Sequence, residues 1–123
     1  ALPRHHEGRD VPVVLFTKGG SAWIEDLAAS GADAIGLDWT MDIGRARALA
    51  ADRVALQGNM DPAVLLAGEE VVRGEARKVL DAFGTVGNGG HVFNLGHGVD
   101  LSTPVEAVAA LVDEVHAYSR KFH

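Results

Sequence analysis

Short unbroken apolar runs alternate along this chain with longer stretches in which apolar residues recur every three or four positions. Residues 11–16, Val-Pro-Val-Val-Leu-Phe, end in Thr17-Lys18-Gly19-Gly20, a buried strand running into a polar glycine turn. Over about 21–30, Trp23, Ile24, Leu27 and Ala28 share one helical face, and Gly31 stops the helix. A second strand over 32–37 closes in Asp38-Trp39-Thr40. The helix after it, about 42–51, carries an Ile43, Ala46, Leu49, Ala50 stripe, with Arg45 and Arg47 off it and Thr40 or Asp42 as cap. A third strand over 53–57 turns through Gly58-Asn59-Met60. Asp61 is placed to cap a short helix that has Pro62 at its first position and ends near Leu66. A longer helix over 69–83 turns Val72, Ala76, Val79, Leu80 and Phe83 inward and stops at Gly84. Residues 85–90 form a glycine-rich loop. In the fourth unit Val92 and Phe93 lead into Asn94 and a loop with glycine on both sides of His97. Thr103, Pro104 and Glu106 spell a capping box for the last helix, whose predicted buried face is Val105, Val108, Ala109, Val112, Val115 and Phe122.

The order is therefore β-α-β-α-β-α-α-β-α. Strands that are continuously apolar, rather than alternating, are buried on both faces, which calls for a parallel sheet under a layer of helices. A doubly wound sheet and part of a (β/α)8 barrel both fit this repeat. The turn after the first strand, Thr-Lys-Gly-Gly-Ser, is not the G-x-G-x-x-G of a dinucleotide site. The reading favours an α/β chain of four βα units forming half of a TIM barrel. Residues 1–10 are a polar lead, the tail of a preceding segment, and 11–123 are a single half-barrel. The polar start without an initiator Met is expected of a chain cut from something longer.

Charge narrows the partners. A formal net charge of −6 argues against nucleic acid, which needs a basic face. With no cysteine, disulfides and thiolate zinc sites are impossible. No helical pair of histidines at metal spacing occurs, so no metal is expected, and His5 and His6 in the lead read as solvent-exposed. No apolar run approaches the roughly 20 residues of a membrane span, and the first residues lack a signal peptide's apolar core, so the default setting is cytoplasmic without membrane attachment.

In a parallel α/β architecture the carboxyl ends of the strands share one rim, where sites are built. Here all four ends are polar: Lys18 after the first, Asp38 after the second, Gln57 and Asn59 around the third, Asn94 and His97 after the fourth. Lys18 either pairs with an acidic substrate group or is a solvated loop lysine. Asp38 is either a general acid/base or a buried carboxylate bonded to loop N–H groups, since a carboxylate inside an apolar strand end must find partners. Gln57 and Asn59 read as residues that order the rim. His97 is the strongest candidate. Histidine as a side-chain type can hydrogen-bond, donate a proton or stand as a cation beside a carboxylate, and Gly96 and Gly98 allow the backbone to approach a ligand. His91 and His116 receive no role. Phosphate binding at the Gly58-Asn59 and Gly96-His97-Gly98 loops remains open, and with it a phosphate- or nucleotide-binding module.

Four segments together resemble the uroporphyrinogen decarboxylase family: Leu15-Phe16-Thr17-Lys18-Gly19-Gly20, Gly36-Leu37-Asp38-Trp39-Thr40, Leu56-Gln57-Gly58-Asn59-Met60-Asp61-Pro62 and Phe93-Asn94-Leu95-Gly96-His97-Gly98. Their order and spacing are similar to the carboxyl-terminal part of that enzyme, which implies that the four units are the C-terminal half of the TIM barrel. The resemblance implies a (β/α)8 barrel, a homodimer, and removal of carbon dioxide from the four acetate arms of uroporphyrinogen III to give coproporphyrinogen III in haem biosynthesis, with no metal or organic cofactor. It implies that His97 is the family's active-site histidine, in contact with a substrate carboxylate. The family's substrate-binding arginines, its pyrrole-binding aspartate and further tyrosine and serine contacts belong to an amino-terminal half that these residues do not match. This part alone is expected to be inactive. A methyltransferase barrel of the related vitamin B12-linked group is the other enzyme reading, and the lack of cysteine counts against its usual zinc site.

Overall fold

The computed structural model describes residues 4–123; residues 1–3 of the polar lead lie outside the described residues. The rest of the lead is a small antiparallel hairpin, β1 (His5–His6) with β2 (Arg9–Asp10). Its two-residue turn has positive φ at Glu7 and Gly8, the backbone that suits the twist of a tight hairpin. The hairpin is tied to the body by Arg4, which donates to Asp33 Oδ2 (2.7 Å) and to the Gly31 carbonyl (2.5 Å).

The body is a four-stranded parallel sheet of β3 (Val14–Phe16), β4 (Ala34–Gly36), β5 (Ala55–Met60) and β6 (His91–Leu95), ordered in space as in sequence. That order decides between the two architectures. A doubly wound sheet reverses its strand order at a switch point, whereas a barrel winds in one direction. The helices α1 (Ile24–Ala29), α2 (Ile43–Ala50), α3 (Glu69–Phe83) and α4 (Val105–Tyr118) follow the same progression, each packed on the next. The four-unit reading holds.

Two apolar clusters join sheet to helices. Ile24, Ile35, Leu37, Ile43, Ala46, Leu56 and Phe83 fill one, beneath α1 and α2. Met60, Leu65, Val72, Ala76, Ala107 and Leu111 fill the other, beneath α3 and α4. Asp42 caps α2 by accepting from the Arg45 amide (2.7 Å), and Asp61 accepts from Ala63 N (2.9 Å) with Pro62 opening a 3₁₀ turn, Pro62–Leu66. Arg47, off the α2 stripe as expected, donates to Asp52, Phe83 O and Thr85 O and lies over the Phe83 ring, tying α2 to the end of α3.

Several expectations are corrected. The first helix opens as a 3₁₀ turn, Gly20–Trp23, and Trp23 is exposed instead of sharing the Ile24 and Ala28 face. Gly58-Asn59-Met60 is not a turn: β5 runs through it, in register with Phe93-Asn94-Leu95, with a cis peptide between Gly58 and Asn59. The capping box does not form. Pro104 occupies the cap position, and the buried Thr103 hydroxyl has no hydrogen-bond partner among the described residues. The buried face of α4 is Ala107, Ala110, Leu111 and Glu114, while Val105, Val108 and Val112 face outward. Glu114 is paired on that face. It lies between Arg77 (2.5 Å) and Arg73 (3.3 Å) of α3, and both hold its carboxyl below the usual carboxylate range, Arg77 most strongly.

Candidate functional site

Residues paired across a parallel sheet point to the same side. The register sets Phe16, Gly36, Gln57 and Val92 in one row and Leu15, Ile35, Leu56 and His91 in the adjacent one. Ile35 and Leu56 point to the helices and are fully buried. The Phe16 row, with Val14 and Asn94, forms the concave face away from the helices. Phe16 lies over Gly36, where a Cβ would come within 3.0 Å of its ring. Val14, Phe16 and Val92 remain about half exposed. Val14, Phe16, Gln57, Asn94 and the Gly96-His97-Gly98 loop line a concavity of about 320 Å³ on this face.

Above it, the rim loops are bound to one another. Asp38 is 5% exposed and accepts three hydrogen bonds, from Gly19 N (2.6 Å), Thr40 N (2.9 Å) and Thr40 Oγ1 (2.5 Å). The Thr40 hydroxyl, then the Gly19 amide, hold its carboxyl below the ordinary range against the opposing pull of burial. Asn59, also buried, donates from its amide to the carbonyls of Asp38 (2.9 Å) and Met41. Gly96 N donates to Met60 O (2.8 Å), and the backbone of Gly96 rests on Trp39: a Cβ at Gly96 would stand 2.3 Å from Trp39 N. The His97 ring meets the Trp39 ring edge to face, centroids 5.8 Å apart.

The predicted residues thus divide. Gln57, Asn94 and His97 come together at the concavity. Asn94 also accepts the Leu95 amide on its own side chain (2.9 Å). Asp38 and Asn59 lie beneath the rim, their side chains bonded to loop backbone and to Thr40, which is the structural alternative of each. Lys18 is exposed beside Asp38, and its charge adds a small further lowering to that carboxyl. Gly98 has open space at its Cβ position, so of the two glycines flanking His97 only Gly96 is required by contact, and that contact is with Trp39. Two residues take parts that their place in the sequence does not announce. Trp39, which closes the second strand on the rim, is one: its ring meets that of His97. His91, assigned no role by its position, is the other. It is half-buried, stacked on Phe83 at 4.5 Å, and donates from Nε2 to the Gly58 carbonyl (2.8 Å); burial pushes its pKa down.

Comparison with known proteins gives this rim a family. Residues 2–118 match the family model described as Uroporphyrinogen decarboxylase (URO-D). The chain belongs to the uroporphyrinogen decarboxylase family. It is 63% identical over 122 residues to the uroporphyrinogen decarboxylase of Bordetella petrii, covering 99% of this chain and 34% of that protein. It is 61% identical over 120 residues to that of Aromatoleum aromaticum, covering 98% of this chain and 33% of that one. The chain therefore spans about a third of the length of the curated relatives it matches. Among solved structures, a methyltransferase from Methanosarcina mazei superposes with a TM-score of 0.73 at 21% identity, over 87% of this chain and 31% of that one. At that identity the likeness is one of fold. For a uroporphyrinogen decarboxylase family chain, the concave face bearing His97 is the one directed away from the helices, where a barrel's strand ends meet a ligand.

Proposed function

We propose that this chain supplies the carboxyl-terminal wall of a uroporphyrinogen decarboxylase, which converts the four acetate arms of uroporphyrinogen III to methyls and yields coproporphyrinogen III. The observation that carries the reading is the placement of His97. It stands at the mouth of an open concave sheet face, in a chain about 60% identical to decarboxylases of that name along nearly its whole length. In the reaction a proton adds to the pyrrole ring beside an acetate arm, making the ring an electron sink. The bond between methylene and carboxylate then breaks, its electron pair flows into the ring, carbon dioxide leaves, a second proton converts the methylene carbon to methyl, and the first proton leaves the ring to restore the neutral pyrrole, so that each arm takes up one proton net. His97 serves by hydrogen-bonding a substrate carboxylate. Gln57 and Asn94 add polar contacts at the same wall. An eight-carboxylate substrate needs more cationic groups than this face offers, so the parent's remaining residues complete the site and this chain alone is inactive. The homodimer and the cytoplasmic setting of the family are part of the same reading.

The test is a chimera in which this chain replaces the matching third of the Bordetella petrii enzyme. The chimera is expected to release coproporphyrinogen, and this chain by itself to release none. His97→Gln in the chimera should lower kcat/KM about tenfold to a hundredfold, the scale of one charge-assisted hydrogen bond. A folded chimera without decarboxylation, or one indifferent to His97→Gln, overturns the reading.

A further inference from the structure

The His97 imidazole makes no hydrogen bond to any described residue, and it is exposed. Its ring contact within the chain is the edge-to-face meeting with Trp39. Trp39 itself is held from both sides. Asp38 before it and Thr40 after it are locked together by the Asp38 carboxylate, which also takes the Gly19 amide from the first rim loop. Asn59, from the third strand, holds the Asp38 carbonyl. Gly96, the residue before His97, is seated on the Trp39 backbone with no room for a Cβ and is bonded to Met60 O. The restraints on the His97 side chain thus converge on the peptide and ring of Trp39.

We infer that Trp39 is the positioning residue for His97, and that the Asp38 carboxylate is the anchor that makes Trp39 rigid enough for that task. The indole fixes which way the imidazole points across the concavity, and the carboxylate acts only through the indole. The meaning of this for substrate rests on the function proposed above; the geometry does not.

The experiment is nuclear magnetic resonance on the intact chain labelled at histidine, reading the three-bond couplings that report χ1 of His97 and the cross-relaxation between the His97 and Trp39 rings. One χ1 rotamer and a ring-to-ring cross-peak are expected. Trp39→Ala should give averaged couplings, and Trp39→Phe, which keeps an aromatic ring there, should restore one rotamer. Trp39→Leu is the second truncation, keeping an apolar side chain at the rim if alanine unfolds the loop, and is expected to average the couplings as alanine does. Asp38→Ala, with the indole intact, should lose the cross-peak. Averaged couplings in the unaltered chain, or a single rotamer retained in a folded Trp39→Leu chain, overturn the inference. So does Asp38→Ala with its cross-peak intact. In the chimera, Trp39→Leu should lower kcat/KM when His97 is present and change nothing further once His97→Gln is in place. If the chimera is inactive, the proposed function fails while the couplings still decide the role of Trp39.

Discussion

Substitution at Gly96 and at Gly98 should have opposite consequences, although the two glycines flank the same histidine. A Cβ at Gly96 would collide with the Trp39 amide, a backbone atom that cannot swing aside. Gly96→Ala is expected to destabilise by about 1–3 kcal/mol, the usual scale of overpacking, and to shift the His97 resonances. Gly98→Ala meets open space and should leave the melting temperature within error. Thermal unfolding of the two variants is the measurement. Titration separates the other buried groups. His91 has a folded pKa below its ordinary 6.5 because burial disfavours the charged ring. The unfolded chain therefore takes up that proton first, and stability is lost as pH falls from 6.5 toward the lowered value. Asp38 and Glu114 have folded values below their ordinary 3.8 and 4.5. Their contribution is whole above those values and disappears as pH falls beneath them. Denaturant midpoints against pH should show two descents, and His91→Gln should remove the upper one alone.

Helix α4 shows where apolar periodicity is a sufficient guide and where it is not. Its existence follows from the pattern, as do the bounds of α3, whose inward Val72, Ala76, Leu80 and Phe83 are buried as read; the end of α4 does not, since the pattern puts Phe122 on its buried face and the α-helix stops at Tyr118, before a 3₁₀ turn over Ser119–Phe122. Its rotation does not. Val105, Val108 and Val112 outweigh Ala107, Ala110 and Leu111 on any hydrophobic count, yet the latter three face the core, and Glu114 on the same face meets Arg73 and Arg77. A carboxylate in a buried stripe is legible only once its cations on α3 are known. The same holds for Gly58-Asn59: the pair reads as a turn locally, and becomes strand because the carbonyls of Asp38 and Met41, about twenty residues earlier, satisfy the Asn59 amide. His97 was legible because a histidine between glycines at a strand end has few other uses; Trp39 was not, since its partner lies two units further on. Thr103→Val is a test at this scale. A working capping box would make the change cost about 1 kcal/mol. With the hydroxyl buried and unpaired, the isosteric swap should instead be neutral or stabilising by up to about 1 kcal/mol in urea unfolding.

At the scale of the molecule, β3 and β6 each leave one side of the sheet unpaired among the described residues. Val14, Phe16 and Val92 lie exposed on the concave face, and Val108 and Val112 lie exposed beyond β6. Edges of this kind are templates for further pairing. Alone in solution the chain should sediment as species heavier than a monomer at rising concentration; a single monomeric boundary throughout would count against this.

The contact of Gly96 with Trp39 has a consequence for how such folds are inherited. Units in a barrel are commonly thought of as exchangeable, each bonded to the one before and the one after. Here the second loop and the fourth touch directly, over the top of β5, and Asn59 beneath them bonds back to the second. Three consecutive units are thereby made one hereditary block. A recombination point anywhere between β4 and β6, the glycine-rich loop over residues 85–90 included, would divide partners that fit each other. A crossover ahead of β4 keeps Trp39 and Gly96 together from a single ancestor, and parts from them only the Gly19 amide, a backbone group that any residue at that turn could supply to Asp38.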